Sequence, residues 1–131
     1  VEHIDLIQDA VLGILAKLPT AALPPQGFDA ARIDAIILAK VPDRSEKVKA
    51  PPQAIPTGRW TPETALARFK ESNQKIHAAL DTSLDLRARV VNHPLFGPWH
   101  GYHWILGCGL HTARHTQQIL EVKSDPGFPP Q

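Results

Sequence analysis

The sequence predicts an all-α fold, and two observations carry this prediction. Apolar residues recur at the spacing of an amphipathic helix in four stretches, residues 1–18, 29–40, 62–80 and 99–123. No segment alternates polar and apolar residues with period two, so we expect no β-sheet. With 131 residues, of which 43% are hydrophobic, the chain fits one domain spanning residues 1–131. We therefore expect three long helices that pack nearly antiparallel, with the 29–40 helix as a shorter accessory.

The first predicted helix, residues 1–18, carries its apolar residues on one face. The members of this face are His3, Ile7, Ala10, Val11, Ile14 and Leu18. Asp5 and Asp9 fall on the opposite side. Pro19 ends the helix, and the second predicted helix, residues 29–40, follows a proline- and glycine-containing break.

Residues 41–60 form a connector that four prolines prevent from becoming a continuous helix. Its basic residues include Arg44, Lys47 and Lys49. This stretch is longer than ordinary loops, so it is either mobile or folded into a specific shape that serves a function. A solvated linker is the simpler interpretation.

The third predicted helix has a clear beginning. Thr61 is a good N-cap, Pro62 suits the first helical position, and Glu63 complements the positive end of the helix dipole. Residues 81–97 are less regular, and the last predicted helix then runs over residues 99–123 before a proline-rich end.

Composition excludes several functional classes. The formal net charge is +1, whereas nucleic acids and acidic membranes select dense basic patches. The single cysteine, Cys108, forms no internal disulfide, which favours a reducing cytoplasm. No apolar run reaches the ~20 residues that span a bilayer, and no signal-peptide pattern is present. No glycine-rich phosphate loop and no Ser-His-Asp spacing can be identified. We therefore expect a small-molecule substrate, with neither nucleic acid nor membrane as partner.

Two histidines four residues apart, His111 and His115, are the strongest functional signal. On a helix their Cβ atoms lie ~5–6 Å apart on one face, so both rings can bind one metal ion, as in the H-E-x-x-H zinc helix. They share this face with apolar residues and are expected to point inward. The third ligand must come from another helix. His3 is the first candidate, because antiparallel helices bring such positions together, and His77 is its rival.

Three side chains near this pair have other predicted roles. His103 falls on a hydrophilic edge, ~12 Å along the helix axis from His111. Cys108 is interpreted as a small buried residue, since it lies about two turns before His115. Gln118 lies one turn beyond His115 and is predicted to hydrogen-bond an imidazole or a metal-bound water. A partly buried polar residue at the helix end is an equally good interpretation of Gln118.

Two motifs in the second half of the chain resemble the DinB-like family of metal-dependent enzymes. They are residues 92–98, Asn-His-Pro-Leu-Phe-Gly-Pro, and residues 110–119, Leu-His-Thr-Ala-Arg-His-Thr-Gln-Gln-Ile. Residues 1–4, Val-Glu-His-Ile, are similar to the second helix of that family, and residues 60–63 to the start of its third helix. The resemblance implies an antiparallel four-helix bundle. It also implies that the first helix is absent from this chain, which agrees with the lack of a capping residue before Val1.

The resemblance also implies a chemistry. Carried over residue by residue, the ligands are His3, His111 and His115, holding a divalent metal such as zinc or nickel. Three histidines leave coordination positions open, as in catalytic sites, where the metal activates water or a low-molecular-weight thiol. We therefore expect a metal-dependent transferase or hydrolase. Proteins of this family are often dimers, so the resemblance also implies a possible homodimer. The alternative is a non-catalytic helical bundle whose histidine cluster is structural or metal-free, and no catalytic base can be assigned, because Glu2 and Asp5 point away from the His3 face.

Overall fold

The computed structural model describes residues 1–45 and 47–129. Most of these residues lie in four α-helices: α1 (Glu2–Lys17), α2 (Ala30–Lys40), α3 (Pro62–Ala78) and α4 (Gly101–Ser124). Two short strands, β1 (Val90–His93) and β2 (Gly97–His100), form a hairpin that leads directly into α4. Short 3₁₀ turns lie at Leu18–Thr20, Pro52–Ala54 and Ala79–Asp81.

The hairpin shows that the prediction of an all-α four-helix bundle was wrong. β1 pairs antiparallel with β2, from Val90 opposite His100 to His93 opposite Gly97. A three-residue loop joins the strands, and Gly97 follows it with φ +76°, a conformation that a residue with a side chain rarely adopts. Strands of four residues are too short to show a recognisable alternation of polar and apolar residues. Pro98 also makes the second strand hard to predict, because proline is rare inside strands. The last helix consequently begins at Gly101 rather than at residue 99.

Two helices begin with the side-chain caps that their sequences favour. Thr61 Oγ1 accepts a hydrogen bond from the Thr64 N–H (3.3 Å), which confirms the predicted start of α3. Asp29 Oδ1 accepts one from the Arg32 N–H (3.0 Å) at the start of α2. These contacts satisfy donors that the first helical turn leaves without partners.

Helix α1 is the central element of the fold, because it packs against both α3 and α4, while α2 packs against α4. The main cluster of buried apolar residues lies where these helices meet, and it comprises Val11, Leu15, Ile76 and Cys108. Cys108 is therefore the small buried residue that the sequence predicted. Among the described residues, no helix is both long enough and apolar enough to cross a bilayer.

A buried polar network joins α1 to α3, on the side of α1 where the sequence placed Asp5. The carboxylate of Asp5 is fully buried and accepts hydrogen bonds from Arg68 Nε (3.0 Å) and Ser72 Oγ (2.8 Å). Ser72 Oγ also lies 2.6 Å from Oε1 of the buried Gln8. Because two partners pack on α1, its buried surface extends beyond the single apolar face that the helical period suggested.

The connector between α2 and α3 is attached to α1 rather than being a free linker. Ala54 is almost completely buried, and its carbonyl accepts a hydrogen bond from His3. The N–H groups of Thr57 and Gly58 each donate to the Glu2 carboxylate at 3.0 Å. These bonds fix the connector against the first turn of α1.

Candidate metal centre

Three histidine rings converge at the junction of α1 and α4. His111 and His115 lie one turn apart on α4, as the sequence predicted, and His3 reaches them from the first turn of α1. Nε2 of His111 lies 3.2 Å from Nε2 of His3 and 3.1 Å from Nε2 of His115. One ligand atom from each ring can be chosen so that all three lie within 4.8 Å of one another. Among the described residues, no other group of histidine, cysteine or acidic side chains meets this criterion.

The spacing of these nitrogens suits a shared metal ion. Zinc–nitrogen bonds are ~2.0–2.1 Å long, and bonds of this length at tetrahedral or octahedral angles put neighbouring ligand nitrogens ~3.0–3.4 Å apart. The distances of 3.1 and 3.2 Å to His111 Nε2 fall within that range. The rings present nitrogens, the donor atoms that zinc and nickel accept from proteins.

A backbone carbonyl orients His3. Nδ1 of His3 lies 2.7 Å from the carbonyl oxygen of Ala54, which can only accept, so Nδ1 carries the proton. In the neutral ring, Nε2 then presents its lone pair to the other two histidines. A second hydrogen bond of this kind fixes the tautomer and raises the basicity of a metal-binding imidazole.

Gln118 orients His115 in the same way. Nδ1 of His115 donates to Gln118 Oε1 at 2.6 Å. In the neutral ring, Nε2 then carries the lone pair and is directed at His111. Gln118 therefore occupies the position beside an imidazole that the sequence predicted for it. Gln118 is also partly buried, so its description as a partly buried polar residue at the helix end fits as well.

Burial disfavours protonation of the two α4 histidines of the cluster. Burial, followed by the neighbouring His115 and His3, lowers the pKa of His111 to about 4. Burial also lowers the pKa of His115, although its bond to Gln118 acts in the opposite direction. Neutral imidazoles are the form that binds metal ions. The Nε2 lone pairs of His3 and His115 then both face Nε2 of His111, and one proton on that atom could satisfy them only in a shared bond.

The remaining candidates lie outside the cluster. His77, the rival third ligand, is exposed on α3. His103 is fully buried, so its predicted place on a hydrophilic edge was wrong; its Nδ1 accepts from the His100 N–H (3.0 Å), and its Nε2 lies 3.2 Å from Asp34 Oδ1. Burial raises the pKa of the Cys108 thiol to about 11, which suits a packing role rather than a nucleophile.

No carboxylate belongs to the cluster within the described part of the chain. Glu2 is adjacent to His3 in sequence, but its carboxylate is directed at the connector, where the backbone N–H of Thr57 is the largest of several contacts that lower its pKa. Asp5 is engaged with Arg68 and Ser72. Neither carboxylate is therefore available as a general base at the histidines. Both side chains point away from the His3 face of α1, as the helical period predicted.

Two clefts reach the histidines from different sides. One is lined by His3 and His115 together with Phe128 and Lys123. The other is lined by His111 and by residues of α1, the connector, the hairpin and α4. A ligand of a bound ion could therefore approach from either side.

The contact between His3 and Ala54 could not be foreseen from the sequence. Ala54 contributes a main-chain oxygen, which every residue possesses, and it lies in a connector with no helical or strand pattern. The only signal was the unusual length of that connector, which left open a shaped segment.

Comparisons of this chain with protein-family models, with curated proteins and with solved structures gave no match.

Proposed function

We propose that the protein binds one divalent transition-metal ion, zinc or nickel, through Nε2 of His3, His111 and His115. The observation that carries the proposal is the convergence of three Nε2 atoms, with 3.1 and 3.2 Å separations to the central His111. The hydrogen bonds from Nδ1 of His3 to Ala54 and from Nδ1 of His115 to Gln118 add support, because they leave both Nε2 atoms free to act as ligands.

We further propose that the protein is a metal-dependent transferase or hydrolase that acts on a small molecule. A bound ion with three protein ligands retains open positions, at which it would acidify a water molecule or a low-molecular-weight thiol. The chain's own residues supply orientation rather than a nucleophile, since Cys108 is buried and the nearby carboxylates are engaged elsewhere. The resemblance of residues 92–98 and 110–119 to the DinB-like family supports the same ligand set, and membership of that family is part of this proposal. A cytoplasmic location is also proposed, on the single cysteine.

Metal analysis of protein purified without a histidine tag tests the first proposal. We expect close to one equivalent of zinc or nickel, and a titration with either ion that saturates at one equivalent. His115→Ala should bind the metal more than about 100-fold more weakly. Loss of a hydrogen bond to a metal ligand alone typically lowers metal affinity about 10–100-fold, and this variant loses the ligand itself. His77→Ala, which alters an exposed histidine outside the cluster, should bind as tightly as the wild type. Equal affinity of the two variants would refute the assigned ligand set.

Activity tests the second proposal. Thiol-transfer and hydrolysis assays with electrophilic substrates should give turnover that requires the metal and disappears in His115→Ala. Tight stoichiometric metal binding with no turnover under either condition would instead favour the non-catalytic role, in which the ion stabilises the junction of α1 and α4.

A further inference from the structure

The cleft that reaches His111 has the size and construction of a small-molecule site. Its volume is about 390 Å³, within the ~300–1,000 Å³ that ligand pockets typically occupy. One wall is formed by Ile7, Ala10 and Ile14 of α1. These three residues belong to the apolar face of α1 but not to its main buried cluster, and Ala10 is exposed.

The opposite wall is aromatic and firmly held. Trp99 is 2% exposed and stacks on His93 with ring centroids 4.1 Å apart. Trp104 packs edge-to-face against Trp99 at 5.1 Å. Gly107 lets the Trp99 ring lie directly on α4, since a Cβ at that position would be only 2.9 Å from the indole. The wall is therefore formed before any ligand arrives.

The lining of the cleft carries no formal charge. Among the described residues that line it there is no aspartate, glutamate, lysine or arginine. Burial also lowers the pKa of His93 to about 4, so this ring is neutral at pH 7. The polar side chains at the cleft include the amides of Gln53 and Asn92. In the metal-free protein, a charged ligand would lose hydration here without gaining an ion pair, whereas burial of an apolar ligand would contribute favourable hydrophobic free energy.

We propose that this cleft binds an uncharged small molecule with an aromatic or branched aliphatic body, whose other end lies at His111. The α1 wall and the two tryptophans contact the body of the ligand, and the amides offer hydrogen bonds to a carbonyl or hydroxyl group. That the ligand is a substrate rests on the metal-dependent function proposed above. Binding in the cleft does not, because the walls are built without any ion.

A neutral fluorescent arene, N-phenylnaphthylamine, tests the proposal on metal-free protein. We expect saturable binding of one probe per chain, detected by energy transfer from tryptophan. Ala10→Phe fills the cleft and should weaken binding at least about tenfold, a change equivalent to ~1.4 kcal/mol. Ala16→Phe makes the same change at an exposed position of α1 that does not line the cleft, and it should leave binding unaltered. Circular dichroism of both variants establishes that they are folded.

A second measurement needs no variant. In the NMR spectrum of the wild type, the probe should shift the indole N–H signals of Trp99 and Trp104 and leave that of Trp60 in place, since Trp60 packs between Arg59 and Arg68. Anilinonaphthalene sulfonate, an analogue with a negative charge, should bind more weakly than the neutral probe. Equal binding of the two probes would overturn the inference, as would an undiminished affinity in Ala10→Phe or a shift of Trp60 alone.

Two further results separate this inference from its rivals. Probe affinity that falls as the protein concentration rises would mean that a second copy of the chain occupies the cleft, and would refute the small-molecule assignment. His115→Ala should lose metal but retain the probe. Probe binding without metal binding in the wild type would refute the proposed function alone, and metal binding without probe binding would refute this inference alone.

Discussion

Nε2 of His3 and Nε2 of His111 lie 3.2 Å apart, although 108 residues separate the two histidines along the chain. The contact exists only when α1 packs on α4, so a metal ion shared by these rings would connect the two helices. In the unfolded chain the same ligands are far apart on average, and the ion would bind far more weakly.

Metal should therefore stabilise the fold by an amount that depends on its concentration. An ion that binds only the folded state adds about 2.7 kcal/mol to the free energy of unfolding when its concentration is 100 times its Kd. Urea unfolding with and without zinc should show this increase in the wild type and in His77→Ala. In His115→Ala the two unfolding curves should coincide, and a zinc-dependent increase of the same size there would show that the ion binds elsewhere.

Gln118 should tune the affinity of the metal site. Gln118→Leu removes the acceptor for His115 Nδ1, and we expect metal affinity to fall by about 10–100-fold with little loss of helical content. Gln118→Glu keeps an oxygen at that position and should preserve or increase the affinity. The comparison of the two titrations decides the point, because a merely structural role for Gln118 would not distinguish an amide from a carboxylate.

The sequence was most informative where a single helix determines the outcome. The spacing of His111 and His115 fixes their common face through the geometry of one helix, and the cap at Thr61 depends on three neighbouring residues. The choice of His3 needed, in addition, the assumption of antiparallel packing between distant segments. The resemblance to a family supplied part of that assumption.

The sequence failed where a second element decides the environment of a residue. Asp5 was assigned to the side away from the apolar face, but Arg68 and Ser72 of α3 turn that side into buried polar surface. His103 was assigned to a hydrophilic edge of the last helix, but Asp34 of α2 and Trp99 of the hairpin lie against it and it is fully buried. The helical period of apolar residues identifies one buried face of a helix. It therefore cannot predict which residues are buried when a helix packs against two partners.

Two glycines of α4 should respond oppositely to the same substitution. A Cβ at Gly107 would lie 2.9 Å from the ring of the buried Trp99, and we expect Gly107→Ala to destabilise the protein by about 1–3 kcal/mol through overpacking. A Cβ at the exposed Gly109 meets nothing within 4 Å, and Gly109→Ala should stabilise the helix by about 0.5–1 kcal/mol. Chemical denaturation of both variants measures the difference. Similar stabilities would show that Trp99 does not lie against α4 as described.

The buried carboxylate of Asp5 should matter far more than its exposed neighbour. Asp5→Ala removes the charged acceptor of hydrogen bonds from Arg68 Nε and Ser72 Oγ, although Ser72 keeps Gln8 Oε1 within reach, and we expect a loss of about 1–3 kcal/mol in the free energy of unfolding. Asp9 pairs with Arg68 at 2.8 Å, but its side chain is 45% exposed, so Asp9→Ala should cost less than about 1 kcal/mol. Equal losses in urea unfolding would contradict the difference in burial that separates these two residues.

His93 should make the fold sensitive to acid. Burial among Phe96, Trp99 and Trp104 lowers the pKa of His93 to about 4, from an ordinary value of 6.5. On acidification the unfolded chain therefore takes up a proton at this position before the folded chain does. The contribution of His93 to stability is complete above pH 6.5 and is lost as the pH falls from 6.5 towards 4.

The measurement is the free energy of unfolding of chelator-treated protein across that pH range. His93→Gln removes the titrating group, so stability should fall with acid less steeply than in the wild type, by at most about 1.4 kcal/mol per pH unit for one proton. His77→Gln makes the same change at an exposed site and should leave the wild-type slope in place. His111 titrates in all three proteins and cancels in the comparison. A His93→Gln slope equal to that of the wild type would mean that the His93 ring is not held neutral by its aromatic neighbours, and the uncharged character assigned to that wall of the cleft would have to be abandoned.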